Sequence, residues 1–176
     1  MTRCALLVRG VNVGGKKLVM AQLRELLTGL GLADVRTVLN SGNAVFTTGS
    51  TPADLEPLLE SALADGLGVR ARCLVRTGAE LRAVLDGHPF PDLVTNGSRM
   101  IALLTSADPL PEVLAAHDPR LVDPGHVALG ERVVYQWCPD GVLAAPDVST
   151  LVVRGWGVAV TGRNWNTLEK LVALTS

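Results

Sequence analysis

Two hydrophobic periods alternate along residues 1–76, and this alternation limits how the chain can fold. Apolar residues occupy every second position over 3–9 and 69–75, a pattern that is typical of strands. Between these segments, apolar residues recur every three or four positions over 20–30 and 55–63, as they do in amphipathic helices. The pattern therefore predicts a mixed fold in which strands and helices follow one another closely.

A predicted hairpin completes the order of elements in this half. Residues 35–39 and 44–48 are short β-branched runs, joined by the stretch Asn40-Ser41-Gly42-Asn43, whose residues tolerate turn dihedrals. The resulting order is βαββαβ, the ferredoxin-like arrangement. Thr77 and Glu80 then form a capping-box pattern, which predicts one more helix before the prolines at 89 and 91.

The second half of the chain shows similar elements in a similar order. A strand over 100–104 precedes a helix over 109–117, and the segments 126–129 and 132–137 form a hairpin. Gly130-Glu131 fits a two-residue turn with glycine in the first position. The halves share no evident sequence identity, so this repeat is predicted from the order of elements alone.

The last residues of the chain are predicted to form a strand and a closing helix. The strand covers 157–161, and the helix has Leu168, Leu171 and Val172 on one face. Asn166 fits the N-cap of that helix, with a glutamate three residues later. We therefore predict an α+β fold of two tandem subdomains, the first of them ferredoxin-like. The predicted boundaries are residues 1–88 for the first, 89–96 for a linker and 97–176 for the second.

Composition and charge argue against several classes of protein. A chain of 176 residues can bury a full core without disulfides or metals, and 48% of its residues are hydrophobic. Sixteen basic and seventeen acidic residues give a net charge of −1, which provides no global attraction for nucleic acid or anionic membranes. No apolar run resembles a signal peptide or a membrane span. Cys4, Cys73 and Cys138 suit reduced packing residues, so we expect a cytoplasmic protein without a metal or a cofactor.

A loop rich in glycine follows the first predicted strand and is the first candidate site. In Arg9-Gly10-Val11-Asn12-Val13-Gly14-Gly15 the glycines surround an asparagine, and a helix begins shortly afterwards. Successive backbone N–H groups in such loops bind anions, and a helix N-terminus adds partial positive charge. The spacing matches neither a Walker loop nor a dinucleotide fingerprint. A tight turn that needs positive φ explains the glycines equally well.

Two other polar segments are candidates for the same site. Arg163 and Asn164 lie in Thr161-Gly162-Arg163-Asn164-Trp165-Asn166-Thr167, where the start of a helix could direct donors at an anion. Trp165 is more typical of a core residue than of a stacking platform. Ser41 and Asn43 lie in the predicted hairpin turn, where turn chemistry alone explains them. They become candidates for ligand binding if that turn lies beside the glycine loop.

Candidates for catalysis and for nucleic-acid binding are weaker. The histidines at 88, 117 and 126 show no metal-binding spacing, and the Gly-x-Ser-x-Gly motif of a nucleophile elbow is absent. No catalytic residue is assigned. Arg70, Arg72 and Arg76, joined by Arg3 and Arg9, could form a basic sheet face, but the two strands lack the aromatic residues on which bases stack. A solvated or interdomain face explains these arginines better.

The chain resembles the bacterial family called domain of unknown function (DUF) 1697. The resemblance is carried by residues 6–15, by Met20 and Leu23, by Val35-Arg36-Thr37 with Ser41-Gly42-Asn43, and by residues 163–167. It implies an α+β fold with two subdomains, and no established activity, substrate or cofactor. The sequence departs from the family pattern in two places. Asn40 replaces the usual glutamine, and the segment 141–145 lacks a Ser-Lys pair that is often found there.

These observations favour an uncharacterised protein that binds a small anionic ligand, such as a nucleotide or a phosphorylated metabolite. The ligand-binding residues that we predict are Arg9, Asn12, Gly14, Gly15, Ser41, Asn43, Arg163 and Asn164. A structural or protein-interaction domain without a ligand is the main alternative, because caps and turns explain many of these residues. A nucleic-acid-binding module ranks well below both. The sequence does not predict whether the protein is an enzyme, nor its oligomeric state.

Overall fold

A computed structural model describes residues 1–10 and 17–176 of the chain. Its contacts divide the chain into two compact units. Unit 1 comprises Met1–Leu81 and Leu171–Ser176, and unit 2 comprises Arg82–Lys170. The sequence analysis placed residues 171–176 in the second subdomain, whereas the contacts place them in unit 1. Division of the chain into two domains with a linker over 89–96 stays a prediction.

Unit 1 is built on a four-stranded antiparallel sheet, in which the strands lie side by side in the order 33–38, 43–48, 2–9 and 72–77. Two helices cover one of its faces, where Phe46 and Leu59 are among the largest buried side chains. The alternation of the strands places Cys4, Leu6 and Val8 on that face. The elements are β1 (Thr2–Arg9), α1 (Met20–Gly29), β2 (Ala33–Val38), β3 (Asn43–Thr48), α2 (Pro52–Leu67), β4 (Arg72–Thr77) and α3 (Gly78–Asp86), whose last residues belong to unit 2.

Local capping chemistry sets the ends of the helices in unit 1. The Thr51 hydroxyl accepts a hydrogen bond from the Asp54 N–H (3.3 Å), and α2 ends at Gly68 in the left-handed conformation, with φ of 63°. The predicted capping box at α3 is present. The Thr77 N–H donates to Glu80 Oε2 (2.8 Å), and the Glu80 N–H donates to the Thr77 hydroxyl (3.2 Å).

Unit 2 repeats this topology with a second four-stranded antiparallel sheet, in which the strands lie in the order 127–130, 133–137, 100–105 and 160–164. Its core joins Leu103, Val134 and Val160 of the sheet to Val148 and Val152 of a helix. The elements are β5 (Met100–Thr105), α4 (Pro111–Ala116), β6 (Val127–Gly130), β7 (Val133–Trp137), α5 (Val148–Trp156), β8 (Val160–Asn164) and α6 (Trp165–Thr175), whose last residues belong to unit 1.

The predicted α+β fold is therefore confirmed, and its first four strands and two helices follow the order βαββαβ. The same order recurs from β5 to β8, with equivalent strands in equivalent places of the sheet. The sequence did not predict α5, which supplies the second helix of the repeat. No helix among the described residues is both long enough and apolar enough to cross a membrane.

Two local predictions for unit 2 were wrong. The turn of the second hairpin is Glu131-Arg132, because Gly130 still pairs with Val133. Arg132 adopts a φ of 52°, and its N–H donates to Asp108 Oδ1 (2.7 Å), which stabilises this otherwise unfavourable conformation. The last strand covers 160–164 rather than 157–161, since Gly157 (φ 67°) forms the left-handed cap of α5.

Candidate functional site

The end of β1 presents the first two residues of the glycine-rich segment. Arg9 is the last residue of the strand and is half-buried, while Gly10 is exposed and adopts a φ of 75°, the left-handed region that favours glycine. The predicted site residues Asn12, Gly14 and Gly15 lie outside the described residues. Of the site residues predicted in this segment, the structure therefore describes Arg9.

The turn between β2 and β3 lies beside this end of β1. The Val8 N–H donates to the carbonyl oxygen of Gly42 (2.9 Å), and Leu7 pairs with Asn43 across the strands. Asn43 is completely buried. Its Nδ2 donates to the carbonyl oxygen of Val38 (3.2 Å) and to the Ser41 hydroxyl (2.8 Å). Within unit 1, the fold thus brings Arg9, Ser41 and Asn43 to one end of the sheet.

Two arginines stand directly opposite each other at this end. Arg9 on β1 pairs with Arg72 on β4, so both side chains leave the same face of the sheet. Arg72 has a carboxylate partner, since its Nε lies 3.2 Å from Glu60 Oε1. The Arg9 side chain makes no hydrogen bond or ion pair with any residue of 1–10 or 17–176. Among the described residues, Glu60 therefore offsets the charge of only one of the two guanidinium groups.

The N-terminus of α1 adds to the positive character of this region. Its N-cap is Val19, whose side chain cannot accept a hydrogen bond, and the first turn of the helix contains no acidic residue. Lys17, just before it, is exposed. The partial positive charge of the helix end is therefore not offset by a carboxylate in the described part of α1.

A shallow groove lies next to the paired arginines. It encloses about 480 Å³ between α2 and the start of β4. The residues that line it are Glu60, Ser61, Ala64, Arg70, Ala71 and Arg72. Arg72 therefore belongs both to this groove and to the strand pair with Arg9.

The edge of β4 carries carboxylates that the sequence analysis did not single out. The Cys73 N–H donates to Glu60 Oε1 and the Val75 N–H to Glu56 Oε1, both at 2.9 Å. Glu56 also lies 3.6 Å from Arg76 Nη1. Side-chain acceptors on an edge strand block pairing with another chain. The one sequence signal was the composition of α2, whose charged residues are all acidic.

Arg76 interrupts the basic sheet face that the sequence suggested. It is 2% exposed, and its Nη1 donates to the carbonyl oxygen of Val75 (2.9 Å). Arg70 precedes β4, so it is not part of the strand. The arginines of this segment therefore differ in environment and do not form one solvent-facing row.

Arg163 and Asn164 belong to β8 of unit 2. Arg163 Nη1 donates to the Thr161 hydroxyl (2.9 Å) and to the carbonyl oxygen of Gly162 (2.8 Å). Burial lowers the pKa of the Arg163 guanidinium to about 10, so the side chain remains charged at neutral pH. Asn164 Oδ1 accepts a hydrogen bond from the Thr167 N–H (3.0 Å) and caps α6. The cap predicted at Asn166 was wrong, because Asn166 already lies inside the helix.

Trp165 is buried, as expected for a core residue. Its ring meets the His88 ring edge-on, with centroids 4.5 Å apart and an interplanar angle of 61°. The Phe90 N–H donates to His88 Nδ1 (3.0 Å). Burial lowers the pKa of His88, which therefore remains neutral at pH 7.

Burial characterises the three cysteines, and a carboxylate lies beside His126. Cys4, Cys73 and Cys138 are all buried, and burial raises the pKa of each thiol, in Cys73 to about 12. His126 Nδ1 lies 3.1 Å from Asp123 Oδ1. Among the described residues, no group of three or more His, Cys, Asp or Glu side chains could hold a metal ion.

A solved bacterial structure is similar to this chain over both units. No curated protein matches the chain. The solved structure of conserved bacterial protein SP0830 from Streptococcus pneumoniae is 27% identical, with 99% of each chain covered and a TM-score of 0.71. The model of the family described as "Protein of unknown function (DUF1697)" matches residues 1–135. Since this match covers most of the sequence, the chain belongs to the DUF1697 family.

Proposed function

We propose that the protein binds a small anionic ligand, such as a nucleotide or a phosphorylated metabolite, at the end of the sheet in unit 1. Arg9 recognises the anion, with Ser41 and Asn43 beside it, and Asn12, Gly14 and Gly15 supply the glycine-rich loop. The observation that carries the proposal is the pairing of Arg9 with Arg72, of which only Arg72 has a carboxylate partner among the described residues.

The electrostatic argument starts from the cost of this pairing. Like charges directly opposite each other on neighbouring strands are destabilising. Glu60 offsets the charge of Arg72, while no described carboxylate offsets that of Arg9. An anion between the arginines would remove the repulsion and gain charge-assisted hydrogen bonds, which the planar guanidinium makes in pairs. The N-terminus of α1, where the N-cap Val19 makes no side-chain capping bond, favours the same sign of ligand charge.

The neighbouring turn supplies rigid support and a polar group. Asn43 is buried, and its amide holds the turn through Val38 and Ser41, so the turn is fixed before any ligand arrives. Ser41 is exposed at the turn, and its hydroxyl accepts a hydrogen bond from Asn43 Nδ2. The groove along Arg70 and Arg72 provides room for the rest of a nucleotide or metabolite.

A purely structural role for these residues is the second candidate. The hydrogen bonds of Asn43 within the turn and the capping bond of Asn164 favour it, because each gives its residue a function in the fold. In that case Arg9 would serve the packing of its own strand. The two candidates differ in whether any ligand stabilises the protein through Arg9.

The experiment is a thermal-shift series with inorganic phosphate, nucleotides and sugar phosphates. Binding to the native state at about 100 times the dissociation constant stabilises a protein by about 2.7 kcal/mol. For a chain of this length each kcal/mol raises the Tm by about 2–4 °C. We expect Arg9→Ala to abolish the shift and Arg9→Lys to reduce it, because lysine keeps the charge without the planar fork.

Arg36→Ala is the matched control, since Arg36 is an exposed arginine on β2 of the same sheet. Its loss should leave the ligand-induced shift unchanged. Arg163→Ala measures separately whether the ligand response also depends on unit 2. A protein without any ligand response, whose Arg9→Ala variant is merely less stable, would contradict the proposal and favour the structural role.

A further inference from the structure

A pocket lies in unit 1 between the C-terminus of α1, the first turns of α2 and the end of β3. It encloses about 180 Å³. Its apolar wall is formed by Met1, Leu30, Leu32, Leu55, Leu58 and Leu59. Its polar side chains are hydroxyls, among them those of Thr48 and Ser50, and no charged side chain of the described residues lines it. The lining therefore suits a neutral molecule with an aliphatic part.

The ends of the two helices give this pocket a buried wall and an exposed rim. α1 stops at Gly31, which adopts a φ of 82°, so that the chain turns back towards the sheet. On α2, Leu55 and Leu59 lie one turn apart and are buried in the core of unit 1. Leu58 lines the same pocket but is 48% exposed. Apolar surface at the mouth of the pocket is thus left open to solvent.

The end of β3 places a buried hydroxyl in this pocket. Side chains alternate along the strand, so Thr48 lies on the same face as Phe46, which packs in the core beneath the helices. Thr48 is 5% exposed, and its hydroxyl oxygen accepts a hydrogen bond from the Ser50 N–H (3.0 Å). Its hydroxyl hydrogen has no acceptor among residues 1–10 and 17–176. One hydrogen-bond donor therefore remains for a ligand.

We propose that this pocket binds a neutral aliphatic molecule that ends in a hydroxyl or carbonyl oxygen. That oxygen accepts a hydrogen bond from Thr48, while the carbon chain lies along the leucines and covers Leu58. An engineered apolar cavity of about 150 Å³ holds one benzene molecule. A pocket of about 180 Å³ therefore takes about seven non-hydrogen atoms, which is the size of hexanol.

This pocket is separate from the anion site proposed at Arg9. Thr48 pairs with Thr2 at the start of β1, whereas Arg9 is the last residue of that strand. The two sites therefore lie at opposite ends of the sheet, and neither proposal depends on the other.

The test is an NMR titration of protein labelled with ¹³C in its leucine methyl groups, using the linear primary alcohols from ethanol to octanol. We expect the Leu59 methyl resonances to shift saturably. Affinity should rise about fourfold for each added methylene group and level off near hexanol, where the pocket is full. Leu103, in the core of unit 2, is the internal control, and its resonances should not move.

Two exposed leucines of unit 1 provide matched variants. Leu58 and Leu39 are each 48% exposed, but only Leu58 lines the pocket. Leu58→Ala should weaken hexanol binding by about fourfold, the value of one buried methylene group. Leu39→Ala should leave it unchanged. Because both side chains are exposed, both variants are expected to fold.

Two other ligands separate the hydrogen bond from the fit of the pocket. Thr48→Val should weaken hexanol binding by about two- to tenfold and leave benzene binding unchanged, because benzene needs no donor. Hexanoate should bind about tenfold more weakly than hexanol, since its charge would be buried without a partner.

Several results would overturn the proposal. They are methyl shifts that grow linearly with alcohol concentration, equal weakening by Leu58→Ala and Leu39→Ala, hexanoate that binds as tightly as hexanol, and equal losses for benzene and hexanol in Thr48→Val. Should Thr48→Val fail to fold, the alcohol series, hexanoate and the two leucine variants decide.

Discussion

Replacing Glu56 of α2 by alanine should destabilise unit 1 more than the equivalent replacement of Glu60 on the same helix. The substitution removes the acceptor of the Val75 N–H, and Val75 is completely buried. A buried donor without a partner costs about 1–3 kcal/mol. The same change takes a carboxylate from Arg76, whose side chain is 3% exposed. Breaking a fully buried ion pair costs about 3–5 kcal/mol, and Glu56 is itself partly exposed, so the two effects together should cost about 3 kcal/mol.

Glu60→Ala provides the matched control on the same helix. Glu60 also accepts an edge N–H, that of Cys73, and also pairs with an arginine. Its partner Arg72 is 65% exposed, however, and exposed pairs contribute about 0–1 kcal/mol. The expected loss is therefore about 1–2 kcal/mol, clearly smaller than for Glu56→Ala.

Urea unfolding followed by circular dichroism measures both losses. With a slope near 2 kcal/mol per molar urea, a loss of about 3 kcal/mol lowers the midpoint by about 1.5 M. Tryptophan fluorescence provides a separate signal for unit 2, because all three tryptophans of the chain, at 137, 156 and 165, lie in that unit. Equal losses for the two variants, or a loss below about 0.5 kcal/mol for Glu56→Ala, would refute the argument from burial.

Three further outcomes are expected. Asn164→Ala should lower the free energy of unfolding by about 1 kcal/mol, because it removes the cap of α6. Asn166→Ala should change it by less than about 0.5 kcal/mol. Equal losses in urea unfolding would contradict the assignment of the cap to Asn164. Burial holds the pKa of His88 below its ordinary value of 6.5, so the unfolded chain binds the proton more readily than the folded protein. The free energy of unfolding should therefore fall as the pH drops below 6.5. NMR titration of the ring should give a pKa under 6.5, and His88→Phe should lose this part of the pH dependence. The three buried thiols should react with a thiol reagent at pH 8 only after denaturant is added, and fast labelling of Cys73 in the native protein would contradict its pKa of about 12.

Local signals explain why much of the fold could be predicted from the sequence. The capping box of Thr77 and Glu80 needs only residues three apart, and both of its hydrogen bonds are present. The first hairpin was predicted from four turn residues, and its turn covers 39–42, one residue earlier than expected. Such features depend on neighbours in sequence, so no knowledge of the packing was needed.

The errors occurred where packing decides between local alternatives. α5 contains Val148, Thr150, Val152 and Val153, whose β-branched side chains lower helix propensity. It is helical because Asp147 caps it, through a bond of 2.9 Å from the Thr150 N–H, and because Val148 and Val152 are buried against the sheet. The cap joins residues three apart, but the packing contacts of Val148 and Val152 come from distant parts of unit 2, which one helix-length window of sequence does not contain.

The candidate site was predicted only in its residue types. The sequence drew attention to Arg9, Ser41 and Asn43, and the register of β1 with its neighbours then placed them at one end of the sheet. The partner that gives Arg9 its significance, Arg72, depends on which residue of β4 lies opposite, and a shift of one position would have removed it from that face. Strand register is set by the whole sheet, so this pairing could not be predicted from the motif.

The two units share one feature of their edge strands and differ in another. Arg76 and Arg163 both bind the carbonyl oxygen of the preceding residue, so each unit anchors a guanidinium at its edge strand. Unit 1 then covers the neighbouring amide with an acidic helix, whereas the corresponding helix of unit 2 has no carboxylate to offer. Side-chain acceptors on an edge strand block pairing with another chain, so Glu56 and Glu60 protect the edge of unit 1 in a way that α5, which has no carboxylate, does not repeat in unit 2.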